Sequence, residues 1–229
     1  MQTENAENQP SDETSASRTP GANDLRVART TGRICQAVIT CLDEVGYAET
    51  SINRVQSLAG VSRGALTHHF PSKEAMMVET LERLLDPVRG QPNPKNPSAR
   101  PFGQSEGQGD GIDADLPRLW AKVVNTKEGR ALIELLVAAR THSELAERIR
   151  PSLHAYNAEI GLNIQRLYSS ADGSGEVTTL WTICRAFLRG LQLQQQFESD
   201  PRAVDEAIAT FGKILAPHLF ALKPGTNDK

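Results

Sequence analysis

Residues 51–74 run SINRVQSLAGVSRGALTHHFPSKE. Ser51, Ser62 and Ser72 each precede a stretch able to wind into a helix, where a serine hydroxyl can accept from the unpaired N–H groups of the first turn. The spacing predicts a short helix over Ile52–Ala59, a break at Gly60, a second helix over Arg63–His69 and a further helix starting at Ser72. Ile52, Val55, Ala59 and Val61 can lock against Leu66 and Phe70. Two short helices joined by a glycine-centred turn form a helix-turn-helix unit. The second helix can enter a major groove only if the first lies across the phosphate backbone, so the turn must be tight and the lock must use small apolar groups. The exposed side of the second helix then carries Arg63, Gly64, Thr67 and His68.

Upstream, Ile34, Val38, Cys41, Leu42 and Val45 recur at three- and four-residue steps before Gly46, predicting a first helix over about Leu25–Val45. Downstream, Ala75, Met76, Val78, Leu81, Leu85 and Val88 stripe the fourth helix. Residues 90–111 hold four prolines and five glycines, a composition that helices and strands exclude and that predicts a linker. Helices are expected near 113–126, 128–141, 143–170, 175–199 and 202–222, with Pro151 kinking or dividing the third of these. Apolar residues recur at helical rather than alternating spacing, and hairpin signals are missing, so the fold class is all-α. The expected organisation is a disordered tail over 1–23, a helix-turn-helix domain over 24–71, a connecting helix over 72–89, the linker over 90–111, a helical-bundle domain over 112–224 and a tail over 225–229.

The chain has 229 residues, of which 38% are apolar, enough for a helical core. It shows no run of the ~18 apolar residues that a membrane span requires and no apolar N-terminal leader, so a cytoplasmic protein with no membrane partner is expected. Cys35, Cys41 and Cys184 are an odd count without a CxxC pair and read as free, interior thiols. The net charge is −3. Residues 24–88 carry seven basic against eight acidic residues, so any nucleic-acid binding must come from a local cluster rather than from the overall field. Adjacent helical residues such as His68 and His69 point about 100° apart and have no Cys or carboxylate at ligand spacing, which argues against a metal. No nucleophile motif of the GxSxG kind anchors catalysis, so an enzyme is not expected, and no cofactor is implied.

The run from Ala59 to Glu74, with His69-Phe70 closing the recognition helix ahead of the Lys73 turn, closely resembles the signature of TetR family regulators. The resemblance covers about Arg33–Val88 well and rests elsewhere on helix count and layout. Gln56 stands where the family usually has Ala, Thr67 where it often has Tyr, and the 90–111 insert is atypical. The resemblance implies a sequence-specific DNA-binding transcription regulator, a repressor released from a palindromic double-stranded operator by a small-molecule effector. An interaction protein that keeps the fold without binding DNA is the alternative. By resemblance Arg63, Gly64, Thr67 and His68 face the groove, with Arg63 able to take guanine O6 and N7 together. Ser51 and Lys73 match positions that grip phosphate, and Arg26, Arg29 and Arg33 either add phosphate contacts or form a solvated face.

The helix over Glu176–Phe197 carries two apolar stripes, one through Val177, Leu180, Trp181, Cys184, Leu188 and Leu191, the other through Ile183, Phe187, Gly190, Leu193 and Phe197. The last helix is similar, so one face should meet the core and the other a partner. The resemblance names that partner as a second copy. It also implies an effector held among the later helices, for which Trp120, Leu135, Arg140, Tyr156, Trp181, Arg185 and Leu188 are the candidate lining residues, with the arginines available to an acidic ligand.

Overall fold

The computed structural model describes residues 21–86, 111–200 and 202–222. Residues 1–20 of the tail expected over 1–23, the tail over 225–229, Val88 and nearly all of the 90–111 linker lie outside the described residues, whereas Ala22 and Asn23, expected in the tail, are the first residues of a helix.

Helix α1 (Ala22–Glu49) begins before Leu25, because the Gly21 N–H donates to Asp24 Oδ2 at 3.0 Å. Gly46 interrupts it at φ +75°, and one further turn follows through Tyr47. Helix α2 (Ile52–Ala59), α3 (Arg63–His69) and α4 (Lys73–Leu85) start where the serines predict them. Ser51 Oγ accepts from Arg54 N at 3.2 Å, Ser62 Oγ from Ala65 N at 3.1 Å and Ser72 Oγ from Ala75 N at 3.1 Å. Each such cap stabilises its helix by roughly 1 kcal/mol. Gly60 closes α2 in the left-handed region at φ +61°, a conformation that a Cβ strains. Arg33 Nη2 donates to the carbonyls of Ala59, at 2.6 Å, and Gly60, at 3.1 Å, tying this turn to α1. Ile34, Val38, Val55, Leu66 and Met76 are all fully buried where α1 to α4 meet.

Beyond residue 110 come α5 (Ile112–Leu119), a π-helical turn (Trp120–Val124), α6 (Lys127–Ala138), α7 (Ser143–Leu167), β1 (Tyr168–Ser169), α8 (Ser174–Gln194), a 3-10 turn (Gln195–Phe197), α9 (Ala203–Leu215) and β2 (Phe220–Ala221). Four expectations need correction. The helix expected to run to 126 gives way to the π turn, where Asn125 N–H donates to Trp120 O, five residues back, at 2.8 Å. Pro151 does not divide α7: Pro151 and Glu147, whose carbonyl it leaves unbonded, are both exposed, so water can replace the lost bond. The helices expected to reach 170 and 222 stop at 167 and 215, and the residues beyond pair antiparallel, Tyr168 with Ala221 and Ser169 with Phe220. Leu222 N donates to Leu167 O at 2.8 Å in the same pairing.

The protein is thus all-α apart from this short strand pair. α1 packs along α6, α4 against α7 and α5 against α9. One apolar core runs through both halves, from Ile34 and Leu66 to Trp181 and Leu215. Cys35 and Cys41 lie in it on α1 and Cys184 on α8, all free thiols. Among the described residues no helix is long and apolar enough to cross a membrane.

Candidate nucleic-acid interface and internal cavity

α3 buries Leu66 and turns Arg63, Gly64, Thr67 and His68 to solvent. The helix thereby brings four of the sequence-predicted reading residues onto one surface. Thr67 Oγ1 donates to the carbonyls of Arg63 at 3.0 Å and Gly64 at 3.2 Å. Its hydroxyl proton is therefore satisfied within the helix, leaving its methyl and the acceptor side of its oxygen to meet a partner. A Cβ on Gly64 would meet nothing within 4 Å, so this position lets another backbone approach closely. Among the described residues the Arg63 guanidinium makes no hydrogen bond or ion pair. It is the strong multidentate donor on this face.

The flanking cations divide into two groups. Arg26, Arg29 and Arg54 are exposed, whereas Arg33 caps α2. Lys73 Nζ donates to Tyr47 O at 2.6 Å and lies 4.0 Å above the Tyr47 ring. Burial pushes the Lys73 ammonium below its ordinary value, against the pull of Glu74 and Glu49. That ammonium holds α4 to the end of α1. Ser51 is exposed and, having accepted from Arg54 N, keeps its own O–H to donate. The His68 and His69 rings sit edge-on with centroids 5.8 Å apart, and His69 Nδ1 is 3.5 Å from Thr31 Oγ1. No cluster of three or more His, Cys, Asp or Glu suited to a metal occurs among the described residues.

α1 and α6 are clamped. Arg130 Nε and Nη2 donate to the two Asp43 carboxylate oxygens at 2.6 and 3.0 Å. Glu134 Oε1 accepts from Tyr47 N at 2.7 Å, at the amide freed by the Gly46 break. The Tyr47 ring also meets His142 edge-on at 4.8 Å. Through Gly129, Leu132 and Ile133, α6 also lines an apolar cavity that opens to solvent between the π turn, α6, α7 and α8.

Tyr156, Trp181, Arg185 and Leu188 line this cavity as expected. Trp120, Leu135 and Arg140 do not. Leu135 follows Ile133 by two residues, which is about 200° round the helix, and so faces the core instead. Arg140 is exposed beyond the end of α6, and Trp120 borders a separate surface hollow with Gln195 and Asp205. Sequence reasoning missed Leu119, Val123, Ile160 and above all Arg189, one helical turn past Arg185 on the same face of α8. The four-residue spacing of the two arginines was the available signal. Arg185 Nη1 donates to Asn157 Oδ1 at 2.9 Å, and the guanidinium lies 5.7 Å from the Tyr156 ring centre. Its Nε is buried without a hydrogen-bond partner. Burial pushes the Arg189 guanidinium below its ordinary value, Tyr156 opposes this and the charge of Arg185 adds to it.

The second stripe of α8 remains largely uncovered: Ile183, Leu193 and Phe197 are exposed, Phe197 to 82%. Phe187 stacks on Phe211 of α9 at 4.2 Å, and Ile214 of α9 is exposed beside them. A Cβ on Gly190 would meet nothing within 4 Å.

A capped helix-turn-helix is thus clamped to a helical bundle that holds a cavity. Residues 34–80 match the family model described as bacterial regulatory proteins, tetR family. An uncharacterized HTH-type transcriptional regulator of Mycobacterium tuberculosis is 33% identical over 141 residues, 59% of this chain and 66% of the relative. The chain thus matches just under two thirds of that relative's length. A transcriptional regulator from Rhodococcus sp. Rha1 shares the fold, at a TM-score of 0.57 and 22% identity, over 81% of this chain and 95% of that one. So does a Saccharomonospora viridis protein solved in complex with choline, at a TM-score of 0.57 and 16% identity, over 86% of this chain and all of that one.

Proposed function

We propose that the protein is a homodimeric, sequence-specific DNA-binding transcription regulator working in the cytoplasm, a repressor that a small molecule releases from a palindromic operator. The observation that carries this reading is α3 itself, a capped helix with Arg63, Gly64, Thr67 and His68 on one exposed face inside a family-matched helix-turn-helix. Arg63 reads guanine, the Thr67 methyl suits a thymine methyl, and Gly64 permits close approach to the backbone. Ser51 and the N–H groups of the first turn of α4 hold phosphates. Because the Lys73 ammonium is engaged with Tyr47, a contact at that position comes from the backbone. The reader comprises residues 24–71, and the bundle over 112–224 supplies the effector cavity and the dimer face on α8 and α9. Two copies of α3 about 34 Å apart then meet successive major grooves. The choline complex of a fold relative supports a small-molecule effector of the bundle.

The near-neutral charge of residues 24–88, with Arg33 and Lys73 turned to internal partners, favours a second reading: an interaction protein that keeps the fold and ignores DNA. Selection of bound fragments from a random duplex pool separates the two. The regulator reading predicts an enriched palindrome that is lost with Arg63→Ala, and binding that weakens steeply with salt as counterions are released. A well-folded dimer that enriches nothing at low salt would establish the second reading.

A further inference from the structure

Arg185 and Arg189 stand one helical turn apart in a cavity whose other walls are almost wholly apolar, among them Val123, Ile133, Ile160 and Leu188. No carboxylate lines this cavity or is among the charges acting on Arg189, and the second guanidinium makes the first harder to hold. Two half-buried like charges without a counter-ion disfavour each other unless something else uses them. Asn157 takes one nitrogen of Arg185, Nε of the same group has no partner, and Arg189 makes no hydrogen bond or ion pair among the described residues. The missing partner must be negative, and the walls call for an apolar remainder.

Building on the effector reading of this cavity, we infer that its ligand is a monocarboxylate with an apolar body, a fatty or arylalkanoic acid. Its carboxylate would be gripped by the Arg185–Arg189 pair and its hydrocarbon would lie against Val123, Ile133 and Leu188. A carboxylate suits the site because a guanidinium fork matches its two oxygens. Tyr156 lies beneath the arginines and orders the Arg185 guanidinium by its ring face.

The test is calorimetric titration of the full-length dimer with decanoate and 4-phenylbutyrate, the matching primary amides, and decyltrimethylammonium. The expected result is that each carboxylate binds at least tenfold more tightly than its amide, and that this preference falls towards one in Arg189→Gln. Ligand-free Arg189→Met serves as the second readout. With the half-buried, unpaired charge gone and the stem retained, its Tm should rise by about 1–4 °C. Amide or ammonium binding as tight as carboxylate binding would overturn the inference while leaving the effector cavity standing. Failure of every probe to bind a folded dimer would overturn both. A Tm lowered in Arg189→Met would make Arg189 a packing residue and overturn the inference as well.

Discussion

Breaking the Arg130–Asp43 pair should loosen the reader from the bundle and blunt its response to ligand. The two side chains are 39% and 13% exposed, and their two bonds measure 2.6 and 3.0 Å. A fully exposed pair couples by about 0.2–1 kcal/mol and a hydrogen bond to a charged group by about 1.5–3 kcal/mol, so this half-screened bidentate pair should couple by about 1–2 kcal/mol. At 2–4 °C per kcal/mol for a chain of this size, the lost coupling corresponds to a Tm fall of about 2–8 °C. The Arg130 guanidinium is held above its ordinary value, first by its bond to Asp43. Its contribution would be lost only as pH rises through that raised value, beyond any working range, so the coupling should not depend on pH through this group. A double-mutant cycle of Asp43→Ala and Arg130→Ala, read by denaturant unfolding, gives the coupling directly. The same variants, assayed for operator affinity with and without ligand, should show a smaller ratio between the two states, because α6 lines the cavity and also packs on α1. A coupling below about 0.3 kcal/mol, within the usual error of additivity, or an unchanged ligand response would refute this route.

A Cβ on Gly129 would lie 2.2 Å from Val124 O and 2.3 Å from Val123 O. Gly129→Ala must therefore push the start of α6 off the π turn, and a Tm fall equivalent to about 2 kcal/mol or more is expected, visible by calorimetry. Phe197→Asp with Ile214→Asp should convert the dimer to monomer in sedimentation without loss of helical circular dichroism, and an unchanged dimer would place the interface elsewhere. Burial raises the thiols of Cys35 to about 11 and Cys184 to about 12, from 9.0. The unfolded chain therefore releases these protons first, and stability should fall as pH rises above about 9. The fall should be shallower in Cys184→Ala, as denaturant midpoints at pH 8 and pH 10 would report. Lys73, lowered by burial, acts in the opposite sense just below 10.5 but is a single group against these thiols.

Features that depend on near neighbours in the chain were legible. Ser51, Ser62 and Ser72 cap helices through residues three positions away, and Gly60 ends α2 by its own backbone freedom, so the helix-turn-helix could be placed to the residue. The ends of α7 and α9 were not legible, because Tyr168 stops winding in order to pair with a segment more than fifty residues on. The same applies to charge. Nothing near Lys73 or Arg33 shows that Tyr47 and the end of α2 receive them. Arg189 was hidden for a different reason: a long polar stem normally lies on the surface, and only the packed bundle shows that this one lines the cavity. Trp181 and Leu188 lay on a stripe already read as core, whereas Leu135 and Trp120 share the composition of cavity residues without their direction.

The three cysteines also make the molecule its own clock. A thiol buried beneath a packed helix reacts with an alkylating reagent only while its surroundings are open, so its modification rate reports how often that part of the fold breathes. Cys35 and Cys41 sit beneath the reader and Cys184 in the bundle. Mass spectrometry of one alkylated sample would therefore time the opening of the two halves separately. A bound operator would slow one clock and a bound effector the other, and any slowing that crosses between them would measure how firmly the halves communicate.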